Sequence, residues 1–178
     1  MQTKSISMAS VWRRVVLAMV VVTAAVALPQ VCHLLGRWWG YGSALGEMLL
    51  PMHLPVMLAG MLGGPVTGLV CGVLSPLVSF ALTGMPMETM LPFMVVELAV
   101  YGLCAGLLRR TNLPGFLQVV LVQVAGRAVR AAVLAVAVYG FGFTDLPISV
   151  VWTSVYAGLA GILIQWAVLP LPIWRKLP

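Results

Sequence analysis

Long apolar stretches separated by short polar or Gly/Pro-rich breaks dominate the chain, a spacing that predicts membrane-spanning helices joined by tight connections. After a polar start and the pair Arg13-Arg14, an apolar run from Val15 to Leu28 predicts the first span, closed by Pro29. The segment from Gln30 to about Met52 is too mixed to span and too long for a tight turn, which marks it as a candidate functional loop. Leu54 to Leu62 and Val66 to Leu82 flank the breaker Gly63-Gly64-Pro65 and read as two helices in a tight reversal, the first unusually short. Leu91 to Leu108 predicts a fourth span, Gly115 to about Tyr139 a fifth, and Ile148 to Leu169 a sixth. The expected fold is an all-α membrane protein, a compact bundle of six transmembrane helices.

Composition agrees with that pattern. Of 178 residues, 62% are hydrophobic and 8% charged, so a soluble enzyme or a disordered tail is excluded. Six spans of about 20 residues would leave fewer than about 60 for all loops and both termini, so residues 1–178 are expected to form a single transmembrane domain. The net charge of +6 does not point to nucleic acid, because most basic residues flank apolar runs and act as topology signals. Lys4, Arg13, Arg14, Arg109, Arg110, Arg175 and Lys176 fall on one side, which the positive-inside rule makes cytoplasmic, with both termini there. Cys32, Cys71 and Cys104 lack metal-ligand spacing and read as small buried hydrophobes.

The fifth span carries Arg127 and Arg130, and a charge at bilayer depth must face protein or a cavity. With Gln123 they recur at i, i+4 and i+7 on one stripe and could present donors to an anionic or carbonyl-bearing ligand. The alternative is internal pairing with Glu97, which lies about two turns into the fourth span at a depth Arg130 can match. An ion site at Glu97 is a further possibility, thinly supported by one acid beside two arginines. Gly60, Gly64, Gly68 and Gly72 recur every four residues, and Gly102 and Gly106 repeat the spacing, which suits close helix packing or docking on another membrane subunit. His33, Glu47, His53, Met85 and Glu88 sit near a candidate pocket mouth, where a lid over a small ligand would lie. Ser149, Trp152, Thr153 and Tyr156 are read as one helical face offering hydroxyls and an aromatic plane to the same pocket. No nucleophile with a base, Gly-rich phosphate loop or carboxylate pair is present, so no enzyme activity, and no ATP or other cofactor in this chain, is expected.

The run Leu50-Pro51-Met52-His53-Leu54-Pro55-Val56-Met57-Leu58-Ala59-Gly60, with Gly63-Gly64-Pro65-Val66-Thr67-Gly68-Leu69 and Leu74-Ser75-Pro76-Leu77-Val78-Ser79, resembles the substrate-binding S components of energy-coupling factor (ECF) vitamin transporters. Leu82-Thr83-Gly84-Met85-Pro86, Glu97-Leu98-Ala99-Val100-Tyr101-Gly102 and Gly126-Arg127 extend the likeness over roughly Ala18 to Val133. The resemblance implies a prokaryotic plasma-membrane protein that captures a vitamin or vitamin precursor in its outer half under the loops after spans one and three. It further implies docking on a transmembrane coupling subunit carrying two ATP-binding subunits, and toppling in the membrane to release the ligand inside. The family's Ala-x-x-x-Ala docking pattern corresponds here to Met19-Val20-Val21-Val22-Thr23, a departure from it. The ligand-binding set expected from these readings is Arg130, Arg127, Glu97, Gln123, His53, Met85, Trp152 and Tyr156, and the arginines favour a carboxylate such as pantothenate or nicotinate over a neutral aromatic precursor. A membrane assembly protein and a solitary ion-coupled carrier are the rival readings.

Overall fold

A computed structural model describes residues 8–42 and 44–171. Every regular element among them is helical: α1 (Met8–Trp38), α2 (Ala44–Leu49), α3 (His53–Gly63), α4 (Pro65–Thr83), α5 (Leu91–Leu108), α6 (Gly115–Ala135), a π-helical turn (Val136–Gly140), α7 (Val150–Ala157) and α8 (Leu159–Val168). Five stretches are long and apolar enough to cross a membrane, and α7 with α8 makes a further crossing if that bent pair is one span. The protein is thus a multi-pass, all-helical membrane protein, as the apolar pattern predicts.

Three element boundaries differ from the expectation. Pro29 does not close the first span: α1 continues through it to Trp38. Proline removes one intrahelical bond and crowds the carbonyl four residues back, but a helix in lipid has no competing water to unwind into. The presumed loop from Gln30 to Met52 is therefore mostly helix, and Ala44–Gly63 forms a 20-residue apolar helical stretch in place of a short second span. The predicted sixth span is broken, with α7 and α8 bent by 57° on either side of Gly158.

The breaks themselves follow from local chemistry. Gly64 takes φ +95°, which suits only glycine, and its N–H caps α3 on the Gly60 carbonyl at 2.9 Å. Pro65 then opens α4, where its missing N–H costs nothing. At the other end Gly84 adopts φ +69° and caps α4 on the Phe80 carbonyl at 2.8 Å.

The four-residue glycine spacings serve internal packing. A Cβ at Gly68 would collide with the Gly102 carbonyl, one at Gly72 with the Leu98 carbonyl, one at Gly60 with Gly102 and Gly106, and one at Gly106 with Pro65. Helices α3, α4 and α5 therefore touch backbone to backbone. Tyr101, Leu98, Met57 and Val122 fill the buried centre beside that contact. Large apolar side chains such as Val20, Val124 and Leu163 remain exposed, as the lipid-facing surface of a membrane bundle must.

Four of the described basic residues gather at one end, while Arg37 lies at the other end of α1 and Arg127 and Arg130 lie within α6. The Arg109 guanidinium donates to the Leu62 carbonyl at 3.0 Å, and a Cβ at Gly63 would meet Leu17, one turn beyond Arg13. Arg13, Arg14, Arg109 and Arg110 thus share the end that holds the α3–α4 reversal, whereas Lys4, Arg175 and Lys176 lie outside the described residues. On α1 the exposed Trp12 and Trp38 are about 39 Å apart at 1.5 Å per residue, close to the distance between two membrane interfaces.

Candidate functional site

Away from the arginine end, a cavity of about 450 Å³ opens between the outer parts of the helices. That volume is in the range of small-molecule sites. Five methionines, Met52, Met85, Met87, Met90 and Met94, contribute to its apolar wall together with Pro29, Pro51 and Pro86. Thioethers are polarizable and adapt to flat or irregular ligands without presenting a hydrogen-bond demand of their own.

Glu97 is the polar centre of this cavity. It sits six residues into α5, about 9 Å below that helix's outer end, and is 1% exposed. Its Oε2 accepts from Arg130 Nη1 at 2.8 Å, and its Oε1 accepts from the Tyr101 hydroxyl one turn away at 3.0 Å. His53, the first residue of α3, brings Nε2 to 3.9 Å from the same Oε1 and tilts its ring against Tyr101 with centroids 5.3 Å apart. Gly126 of α6 makes room for that tyrosine, because a Cβ there would strike the ring. Chains from α3, α5 and α6 therefore converge on one carboxylate.

The pair does not exhaust Arg130. Its Nη2 has the Met90 sulfur at 3.8 Å, a weak acceptor, and its Nε is buried without a partner. One turn further in, Arg127 has no ion pair among the described residues, and its Nε is likewise buried and unpartnered. Two guanidinium groups thus face one carboxylate, leaving local positive charge at bilayer depth.

The eight residues expected at the site divide. Arg130, Glu97, His53 and Met85 line the cavity together. Arg127 does not reach its wall. Gln123 turns to a separate polar link between α6 and α8, donating to Gln165 Oε1 at 2.7 Å and accepting from Trp166 Nε1 at 2.6 Å. Trp152 and Tyr156 lie on the outer surface, 67% and 70% exposed, and are not part of the lining. Of the outer-loop residues, His33 and Glu47 line the cavity and Glu88 does not.

Helix α7 explains the largest displacement. Its cavity face is Val150, Thr153, Ser154 and Ala157, at i, i+3, i+4 and i+7, instead of Ser149, Trp152, Thr153 and Tyr156. The two stripes differ by about one residue, or about 100° of rotation. In lipid the bulky aromatic face turns outward and the small residues turn in, the reverse of what an aromatic-lined pocket would require. Ser79 on α4, Met90 just before α5, Met94 on α5 and Ser154 on α7 were not singled out by sequence; the helical spacing of Met87, Met90 and Met94 was the available signal for two of them.

Among the described residues no three His, Cys, Asp or Glu side chains are grouped to hold a metal ion. A model of the family described as ECF transporter, substrate-specific component, matches residues 13–173. Neither the curated proteins nor the solved structures yield a match. An all-helical, multi-pass bundle with a ligand-sized cavity is the architecture such a component needs, and with the family's pattern running through nearly its whole length the chain belongs to the ECF transporter substrate-specific components.

Proposed function

We propose that this chain captures a vitamin or vitamin precursor from outside a prokaryotic plasma membrane and delivers it inward with a transmembrane coupling subunit and two ATP-binding subunits. The chain itself performs no chemistry, and ATP belongs to those partners. The observation that carries this reading is the methionine-walled cavity set opposite the arginine end, with the buried Glu97–Arg130 pair in its wall. By the positive-inside rule that cavity faces outward.

Glu47 and Glu97 line the cavity against Arg130 alone, so the case for an acidic ligand rests on Arg130 Nη2, which has no charged acceptor. A carboxylate near Arg130 Nη2 would gain a charge-assisted hydrogen bond where only a sulfur now stands. Pantothenate and nicotinate are acids of suitable size. The methionine wall would take the apolar or aromatic body. For docking, α1 keeps Trp12, Val16, Met19 and Val20 exposed, a continuous apolar strip open to a coupling subunit despite lacking small residues. With only 8% of its residues charged, such a body can tilt in the membrane with little charge dragged through lipid.

Uptake of labelled pantothenate and nicotinate in cells tests the proposal. Arg130→Ala is expected to abolish uptake while the protein still inserts. The double variant Glu97→Gln with Arg130→Met, which removes both charges at once, is expected to insert in normal amounts and also to fail in uptake. Wild-type uptake by either inserted variant would take the pair out of the site.

A further inference from the structure

The last turns of α1 carry two opposite faces. Pro29, His33 and Gly36 turn inward: the first two line the cavity, and a Cβ at Gly36 would strike the Gly42 carbonyl and meet Leu45 of α2. The helix is closed here by the Tyr41 and Gly42 N–H groups, which donate to the Gly36 carbonyl at 2.7 and 3.1 Å. On the other face Val31, Leu34, Leu35 and Trp38, at i, i+3, i+4 and i+7, line a shallow groove with Arg37 beside it. Val31, Leu34 and Trp38 are exposed along that groove.

Arg37 departs from the charge pattern of the chain. Arg13, Arg14, Arg109 and Arg110 mark the opposite end, whereas Arg37 stands in the last turn of α1 at the cavity end. No acid offsets it. Of the four acids in the sequence, Glu97 pairs with Arg130, and Glu47, Glu88 and Asp145 make no ion pair with Arg37 among the described residues.

The aromatic neighbours fix its depth. Trp38, Trp39 and Tyr41 are all exposed, and such a cluster at the end of a span sits at the headgroup level of a bilayer. Arg37 is therefore level with lipid phosphates. From Trp38 to Val31 the groove runs about 10 Å toward the bilayer centre, at 1.5 Å per residue, which covers much of the roughly 15 Å of hydrocarbon in one leaflet. A cation at phosphate depth above an apolar groove of that length suits a molecule with an anionic head and an acyl chain.

We infer that this face of α1 holds one anionic phospholipid of the cavity-end leaflet, its phosphate on the Arg37 guanidinium and an acyl chain along Val31, Leu34 and Trp38. Guanidinium N–H groups can grip a phosphate in bidentate fashion, which supplies geometry as well as charge. A zwitterionic head brings its own cation beside the arginine, so the anionic lipid is preferred. The lipid sits behind the wall that carries Pro29 and His33 and holds that wall at a set depth. The site does not depend on what the cavity binds.

Brominated lipids, which quench a fluorophore they touch, test the site on the full chain in vesicles. The chain, with Cys32, Cys71 and Cys104 replaced by alanine, is labelled at Leu34→Cys or, as a reference on the lipid-facing side of α6, at Val124→Cys. The vesicles are phosphatidylcholine with a small share of phosphatidylglycerol, and bromine is placed on the phosphatidylglycerol or on an equal amount of the phosphatidylcholine. Quenching by the anionic lipid relative to the zwitterionic one is expected to be at least about twofold higher at position 34 than at 124, inside the roughly fivefold enrichment that one basic residue confers. Arg37→Gln is expected to make the two positions equal. Arg13→Gln with Arg14→Gln, at the other end of the helix, is expected to leave the difference intact. Equal ratios at the two positions with Arg37 present would mean ordinary boundary lipid and overturn the site, as would an enrichment that survives Arg37→Gln. Quenching by neither lipid at position 34 would mean that a second copy of the chain covers the groove, and would overturn it as well.

Discussion

At the scale of single residues, Glu97 carries the site because three other side chains depend on its charge and position. Glu97→Gln leaves the Arg130 guanidinium buried without its counter-charge, and removing one partner of a buried pair costs about 3–5 kcal/mol. The expected result is a marked fall in the thermal midpoint measured in detergent, largely restored when Arg130→Met is added. A single variant as stable as the wild type would mean that the pair contributes nothing. On α7, Thr153→Val is expected to weaken ligand binding while Tyr156→Ala leaves it unchanged, since only the first faces the cavity. Equal effects in a binding titration would contradict the rotation of that helix. Glu97 and Arg130 were legible in the sequence because charges are rare in apolar runs and their depths could be counted from the helix ends. The partnership of Gln123 with Gln165 and Trp166 was not, since uncharged amides leave no depth constraint strong enough to name a partner 42 and 43 residues away.

Elements show the same division between what spacing dictates and what packing decides. Glycines at four-residue intervals announced close helix contact, but only the structure chooses between internal packing and an external partner: α3, α4 and α5 consume the spacing among themselves. Gly68→Ala or Gly102→Ala is expected to destabilise the protein by at least about 1–3 kcal/mol, the usual cost of overpacking, because the added methyl would strike backbone that cannot move aside. Gly140→Ala, where the nearest atom would be 3.7 Å away, is expected to change stability by less than about 0.5 kcal/mol. Thermal unfolding of the three variants in one detergent checks the contrast. Pro29 misled the reading of α1 because the rule that proline ends helices is calibrated on helices with water to replace the lost bond. The broken course of α7 and α8 had no comparable warning. Gly158 sits inside an apolar run, and its close approach to the Leu50 side chain is a tertiary fact.

Over the whole molecule, the cavity and the arginine cluster sit at opposite ends, the polarity that the proposed capture role requires. A charge asymmetry was legible, since lysines and arginines flank the predicted spans chiefly at one end, and the orientation it implies is tested by labelling. Cavity shape was not, because its walls come from helices far apart in the chain. A cysteine replacing Met87 is expected to react with a membrane-impermeant maleimide in intact cells, and one replacing Thr111 only after the membrane is opened. The reverse pattern would invert the protein and place the cavity inside. The most direct test of the capture role is native mass spectrometry of the full chain purified in mild detergent from its own host. One small molecule of vitamin mass bound per chain, absent from the Glu97→Gln/Arg130→Met variant, is the expected result. An empty wild-type spectrum that stays empty after incubation with a panel of vitamins, or a bound molecule that the variant retains, would contradict it.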